Sequence, residues 1–101
     1  MRIALLFMFL WVANAGAVAA KDVAAACLSS DRGAGQQTLC RCIQKAADQT
    51  LTRRDQKRAA GFFADPDLAQ SARRSDSRRD EDFWERYEKF GDVARKHCRK
   101  R

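Results

Sequence analysis

The sequence is short of the residues that build most catalytic centres. It holds one proline, one tyrosine and one histidine in 101 residues. A Ser-His-Asp or Cys-His relay would therefore have to run through His97, which stands beside Cys98 at a basic chain end. There is no glycine-rich phosphate cradle, no H-E-x-x-H pair and no calcium loop. There is also no C-x-x-C redox couple and no C-x-x-C-H haem attachment site. These absences predict a protein that is not an enzyme and carries no cofactor. No segment alternates apolar and polar residues with period two, and none is a run of β-branched residues, so strands are not expected. After residue 20 no apolar stretch is long enough to cross a membrane.

The long apolar run that does exist is at the start. Arg2 supplies a short positive region, Ile3 to Val12 an apolar one, and Ala17-Val18-Ala19-Ala20 a run of small residues. Together they predict a signal peptide over residues 1–20, cleaved after Ala19 or Ala20, and hence a periplasmic or secreted protein. An uncleaved anchor is the alternative; the small residues in the second half of the run argue against it. Ala24-Ala25-Ala26-Cys27 faintly resembles a lipobox, but Lys21 and Asp22 interrupt the apolar segment a lipobox would continue. The remainder, residues 21–101, is one small domain near the lower size limit for a self-sufficient core. Without Arg2 it has 19 basic and 13 acidic side chains, a balance of +6.

Export places Cys27, Cys40, Cys42 and Cys98 in an oxidising compartment, where they are expected to form two disulfides. A bond between Cys40 and Cys42 would close a strained small ring, so each should pair with a distant partner. Either way, if Cys40 or Cys42 bonds Cys98, the chain's end is tied to its middle across more than fifty residues. The alternative is a metal site from Cys40, Cys42, His97 and Cys98, with soft thiolates and an imidazole suited to copper(I) or zinc. C-x-C is not a strong zinc spacing, and no methionine cluster supports copper.

Helical signals fill the rest. Residues 21–30 form a short Ala-rich stretch with Val23, Ala26 and Cys27 on one side, ended by the Ser/Asp/Gly cluster of residues 29–35. Over residues 36–48, Leu39, Ile43, Ala46 and Ala47 make an apolar stripe. Thr52-x-x-Asp55 is a capping box opening a helix to about Phe63, with Ala59, Phe62 and Phe63 inward and Arg53, Arg54, Lys57 and Arg58 largely outward. Asp65-Pro66 starts a short helix offering Leu68, Ala69 and Ala72. Ser71 to Arg79 reads as a solvated connector. Residues 80–100 form the best-defined helix, with Phe83, Trp84, Tyr87, Phe90, Ala94 and Cys98 on one face, acids at its start and bases at its end. The expected fold is an all-α, disulfide-stapled bundle of about four helices.

With so few aliphatic residues after the leader, Phe62, Phe63, Phe83, Trp84, Tyr87 and Phe90 should make most of the core, with Trp84 and Tyr87 the candidates for reaching the surface. Lys96, Arg99, Lys100 and Arg101 form a local basic patch, a candidate binding surface for an anionic polymer. Acids interspersed elsewhere, and export itself, count against nucleic acid. Cys40-x-Cys42-Ile43-Gln44, Leu51-Thr52-x-x-Asp55-Gln56-Lys57, Phe62-Phe63-x-Asp65-Pro66, Arg73-x-Ser75-Asp76 and Phe83-Trp84-x-x-Tyr87-x-x-Phe90, with Cys98, resemble a family of small exported four-cysteine proteins of Rhodobacter-type alphaproteobacteria. The similarity spans about Cys27 to Cys98. Some members bear the automated label arginine transporter; with no spanning segment in the mature chain, the resemblance implies at most a soluble accessory. The function expected is binding, to an envelope protein or an anionic surface polymer, with a thiol-based metal carrier as the alternative.

Overall fold

The computed structural model describes residues 22–99, in which all regular structure is helical. Five helices follow in order: α1 (Asp22–Ser29), α2 (Gln37–Thr50), α3 (Arg53–Ala64), α4 (Pro66–Arg74) and α5 (Arg78–His97). α1 lies against α2 and α3, α5 closes on α2, and α4 joins α3 to α5. No helix among the described residues is long and apolar enough to cross a membrane. The leader expected over residues 1–20 lies outside the described residues.

Local chemistry explains the helix starts. The Thr52 hydroxyl accepts the Asp55 N–H at 3.1 Å, and Asp55 Oδ2 accepts the Thr52 N–H at 3.2 Å, completing the expected capping box. Asp65 Oδ1 accepts the Asp67 N–H at 3.1 Å, and Pro66 is the first residue of α4, where its missing N–H is no loss. The Ser77 hydroxyl accepts the Asp80 N–H at 3.2 Å and opens α5.

That last cap corrects the connector expected over Ser71 to Arg79. α4 continues to Arg74 and α5 already begins at Arg78, leaving only residues 75–77 between them. Burial of Ala72 against Phe62 and Phe83 holds the end of α4 in place, and Arg73 and Arg74 match the negative end of its dipole. The all-α, disulfide-stapled bundle expected from the sequence is thus built of five helices, one at each of the five helical stretches.

Two clusters form the core. Val23, Ala46, Ala47, Leu51, Ala59 and Phe90 gather where α1, α2, α3 and α5 meet. Phe62, Ala72 and Phe83 form the second, at the α3–α4–α5 end, and Tyr87 packs on both. Phe62 meets Phe83 and Tyr87 edge to face, with centroids 5.9 and 5.2 Å apart. Such pairs add about 0.5–1.5 kcal/mol each beyond area burial, which matters where aliphatic side chains are scarce. Arg58 was expected outward; instead its guanidinium lies 4.4 Å over the Phe83 ring and donates to Asp80 at 2.8 Å. Leu68, expected to point inward, is 49% exposed.

Candidate functional site: an apolar groove beside the first disulfide

The four cysteines pair as Cys27–Cys40 and Cys42–Cys98, with Cα separations of 5.5 and 5.6 Å. Both pairs avoid the Cys40–Cys42 ring, and the second ties the end of α5 to α2 over a separation of 56 residues. Residues two apart on a helix point to roughly opposite sides, so α2 is fastened to α1 by one sulfur and to α5 by the other. The four groups of the metal alternative are thereby divided. Cys40 is buried against Cys27, Cys42 is bonded to Cys98, and His97 is exposed next to the second bond. Among the described residues no set of three His, Cys, Asp or Glu side chains is gathered to hold a metal.

The loop from α1 to α2 packs directly on the first disulfide. A Cβ added at Gly33 would stand 1.8 Å from the Cys27 carbonyl oxygen and 2.9 Å from Cys27 Sγ, so only glycine allows this approach. Gly35, at φ +73°, then turns the chain into α2. The Ser30 hydroxyl fixes the start of the loop, donating to the Cys27 carbonyl at 2.6 Å and accepting the Gly33 N–H at 3.2 Å.

Beside this loop an open groove of about 610 Å³ runs between Leu39 and Ile43 of α2 and Phe62, Phe63 and Pro66 of α3 and α4, with Asp31 and Arg32 at its edge. The volume lies within the range of small-molecule and side-chain binding sites. Leu39 and Ile43 were expected in the core; both are only half-buried, as is Phe63. The buried face of α2 is Cys40, Gln44, Ala46 and Ala47: the two alanines of the expected stripe are in the core and Ile43 packs partly against it, while Cys40 and Gln44 take the place expected of Leu39.

Gln44 and Gln56 are buried in a polar cluster, shared with the exposed Asp48, that the apolar pattern did not indicate. Gln44 Oε1 accepts the Ala24 N–H at 2.8 Å, satisfying a free donor in the first turn of α1. That bond requires the oxygen of the amide to face α1, so its nitrogen faces the other way, donating to Gln56 Oε1 at 2.8 Å and Asp48 Oδ1 at 2.9 Å. Gln56 Nε2 in turn donates to Asp48 Oδ1 at 3.2 Å. No buried side-chain nitrogen or oxygen among the described residues lacks a partner.

Next to it, Asp55 is 5% exposed and receives Arg86 in bidentate fashion, Nε to Oδ2 at 2.7 Å and Nη2 to Oδ1 at 3.0 Å. Burial pushes the Asp55 carboxyl up, but the Arg86 hydrogen bonds, the Thr52 N–H and the guanidinium charge together hold it below the ordinary value of 3.8. Arg86 is correspondingly raised, first by its hydrogen bonds to Asp55. Asp80 is lowered by hydrogen bonds from Ser75 and Arg58, and burial raises the Tyr87 phenol. None of these four groups lines the groove.

Of the expected surface features, Trp84 is half-buried in a shallow cleft of about 220 Å³ with Glu81, Glu85, Glu88 and Arg73. Tyr87 is half-buried within the aromatic cluster. In the basic patch, Lys96 and Arg99 are exposed, whereas Lys100 and Arg101 lie outside the described residues. The neighbouring Arg95 is engaged by Asp92 at 2.6 Å. No protein-family model, no curated protein and no solved structure matches the chain.

Proposed function

We propose that the protein is an exported, non-catalytic binding module whose groove between Leu39, Ile43 and Phe63 receives an apolar segment of an envelope protein. The groove carries this reading: a chain with few aliphatic residues leaves Leu39, Ile43 and Phe63 half-exposed on facing helices, held open by a disulfide-braced loop. A polypeptide partner suits it better than an anionic polymer, because apolar walls offer nothing to a phosphate or uronate, and Asp31 and Arg32 at the edge cancel in charge. The leader over residues 1–20 and the family resemblance support export. An open, half-exposed channel suits an inserted side-chain row more than an enclosed small molecule.

A photo-crosslinking residue at Leu39 in the exported protein tests the reading, with the same residue at the exposed Arg54 on the outer side of α3 as reference. A discrete protein adduct is expected from position 39, lost on Ile43→Asp, and none from position 54. Equal labelling from both positions, or none from 39, refutes the groove. The link to arginine has one specific support, the Trp84 cleft, where three glutamates outnumber the single cation Arg73 and leave a net negative charge for a guanidinium. Titration with arginine, followed by Trp84 fluorescence, decides it: no saturable change removes that link.

A further inference from the structure

The two disulfides differ in what can reach them. Cys27 and Cys40 keep 2% and 0% of their surface, and the Gly33 backbone is pressed against the first sulfur. Cys42 and Cys98 are half-buried, and both line an open hollow of about 360 Å³ with Gln36, Thr38, His97 and Arg99. We propose that Cys42–Cys98 is a thiol-exchange site, taking an anionic thiol or dithiol as its reactant, while Cys27–Cys40 is purely structural. This assignment does not depend on what the apolar groove binds.

Exchange requires a thiolate to approach one sulfur of the bond. At Cys42–Cys98 the hollow supplies the approach. Arg99, in the hollow, and the nearby exposed Lys96 supply a field that concentrates anions. A dithiol reductant reacts in two steps. Its first thiolate bonds one cysteine sulfur, and the other cysteine leaves as a thiolate. Its second thiolate then attacks the mixed disulfide and frees the remaining cysteine. The reductant departs as a disulfide, oxidised by two electrons, and the cysteines end as two thiols after taking up two protons. One molecule of a monothiol such as glutathione achieves only the first step, leaving one cysteine S-thiolated and its partner free until a second molecule attacks the mixed disulfide and departs with the first as a disulfide.

The fold tolerates the opening. Cys98 is the C-cap of α5, donating its N–H to the Ala94 carbonyl at 2.8 Å. One turn earlier, Val93 and Ala94 pack against the main core cluster. Breaking the bond therefore releases the last turn of α5 from α2, whereas the helix stays docked through Val93, Ala94 and Phe90. Opening Cys27–Cys40 instead requires the Gly33 loop and α1 to lift away, a larger local unfolding.

Partial reduction tests the assignment. Oxidised mature protein is incubated with reduced glutathione in native buffer, quenched with iodoacetamide and mapped by peptide mass. Cys42 and Cys98 are expected to be modified roughly tenfold or more faster than Cys27 and Cys40, with far-UV circular dichroism retained. Simultaneous loss of both bonds, or earlier loss of Cys27–Cys40, overturns the proposal. The charge of the reactant gives a second measurement on a variant expected to fold, since Arg99 is exposed. Arg99→Glu should slow exchange with anionic glutathione several-fold relative to cationic cysteamine. An unchanged ratio of the two rates overturns the preference for anionic thiols.

Discussion

Replacing Arg86 with methionine leaves the Asp55 carboxylate buried with only the Thr52 N–H and hydroxyl cap near it. Removing one partner of a fully buried pair costs about 3–5 kcal/mol, and of an exposed pair about 0–1. Here Asp55 is 7% exposed at its side chain and Arg86 is 41% exposed, so water screens one end of the pair and the expected loss is about 2 kcal/mol. In a domain of this size that corresponds to a fall in Tm on the order of 10 °C. The pH dependence makes the test specific. Asp55 has a folded pKa below its unfolded one, so the pair stabilises the fold above about pH 4 and loses that contribution as pH falls through the lower folded value. In Arg86→Met burial is no longer outweighed by the guanidinium, and the Asp55 carboxyl moves up. Urea unfolding at pH 7 and pH 3, followed by circular dichroism with both disulfides intact, should show a large gap between wild type and variant at pH 7. The gap should shrink at pH 3. Equal destabilisation at both pH values, or none at pH 7, refutes the assignment of the pair.

Other perturbations separate the remaining contributions. Gly33→Ala forces a Cβ to within 1.8 Å of the Cys27 carbonyl unless the loop moves; thermal unfolding should show a loss of about 2 kcal/mol or more. Gln44→Leu strands the Ala24 N–H and the buried Gln56 Oε1 and should cost about 1–3 kcal/mol, partly recovered in the Gln44→Leu/Gln56→Leu double variant, by denaturant titration. Phe83→Ala removes the ring shared by Phe62, Ala72 and Arg58 and should cost about 3–5 kcal/mol, with hydrogen exchange accelerated first in α4. Paired Cys→Ser replacement should lower stability by about 4 kcal/mol at Cys42 and Cys98 and about 3 kcal/mol at Cys27 and Cys40, from the lengths of the closed loops, with chemical denaturation as the readout.

The starts of α3 and α4 were legible because each rests on a short-range pattern, Thr52 with Asp55 and Asp65 with Pro66, whereas the Ser77 cap of α5 was hidden in a polar stretch read as a connector. The aromatic face of α5 was legible for the same reason, since Phe83, Tyr87 and Phe90 repeat at helical spacing. What escaped was the burial of Gln44 on α2. Apolar residues alone favoured a stripe of Leu39, Ile43, Ala46 and Ala47, of which the alanines are buried, and a glutamine carries no signal for burial until its partners are known. One clue was present. A buried disulfide at Cys40 turns inward the residue one turn later, which is Gln44, and a turned-in glutamine needs a second polar side chain to meet it. Gln56 and Asp48 supply that, but their meeting with Gln44 depends on how α2 and α3 close, which spacing does not specify. The groove depends on the same closure of the helices, so it too was out of reach.

The placement of the two sulfur bridges gives the covalent chain an unusual outline. The stretch closed by Cys27–Cys40 ends two residues before the stretch closed by Cys42–Cys98 begins, so the rings neither nest nor interlock but follow one another, joined at Arg41 like a figure of eight. The first ring needs no residue beyond Cys40, so it can be sealed before any of α3, α4 or α5 is in place. A single backbone cut inside the second ring would leave the two pieces covalently joined until that bridge is reduced.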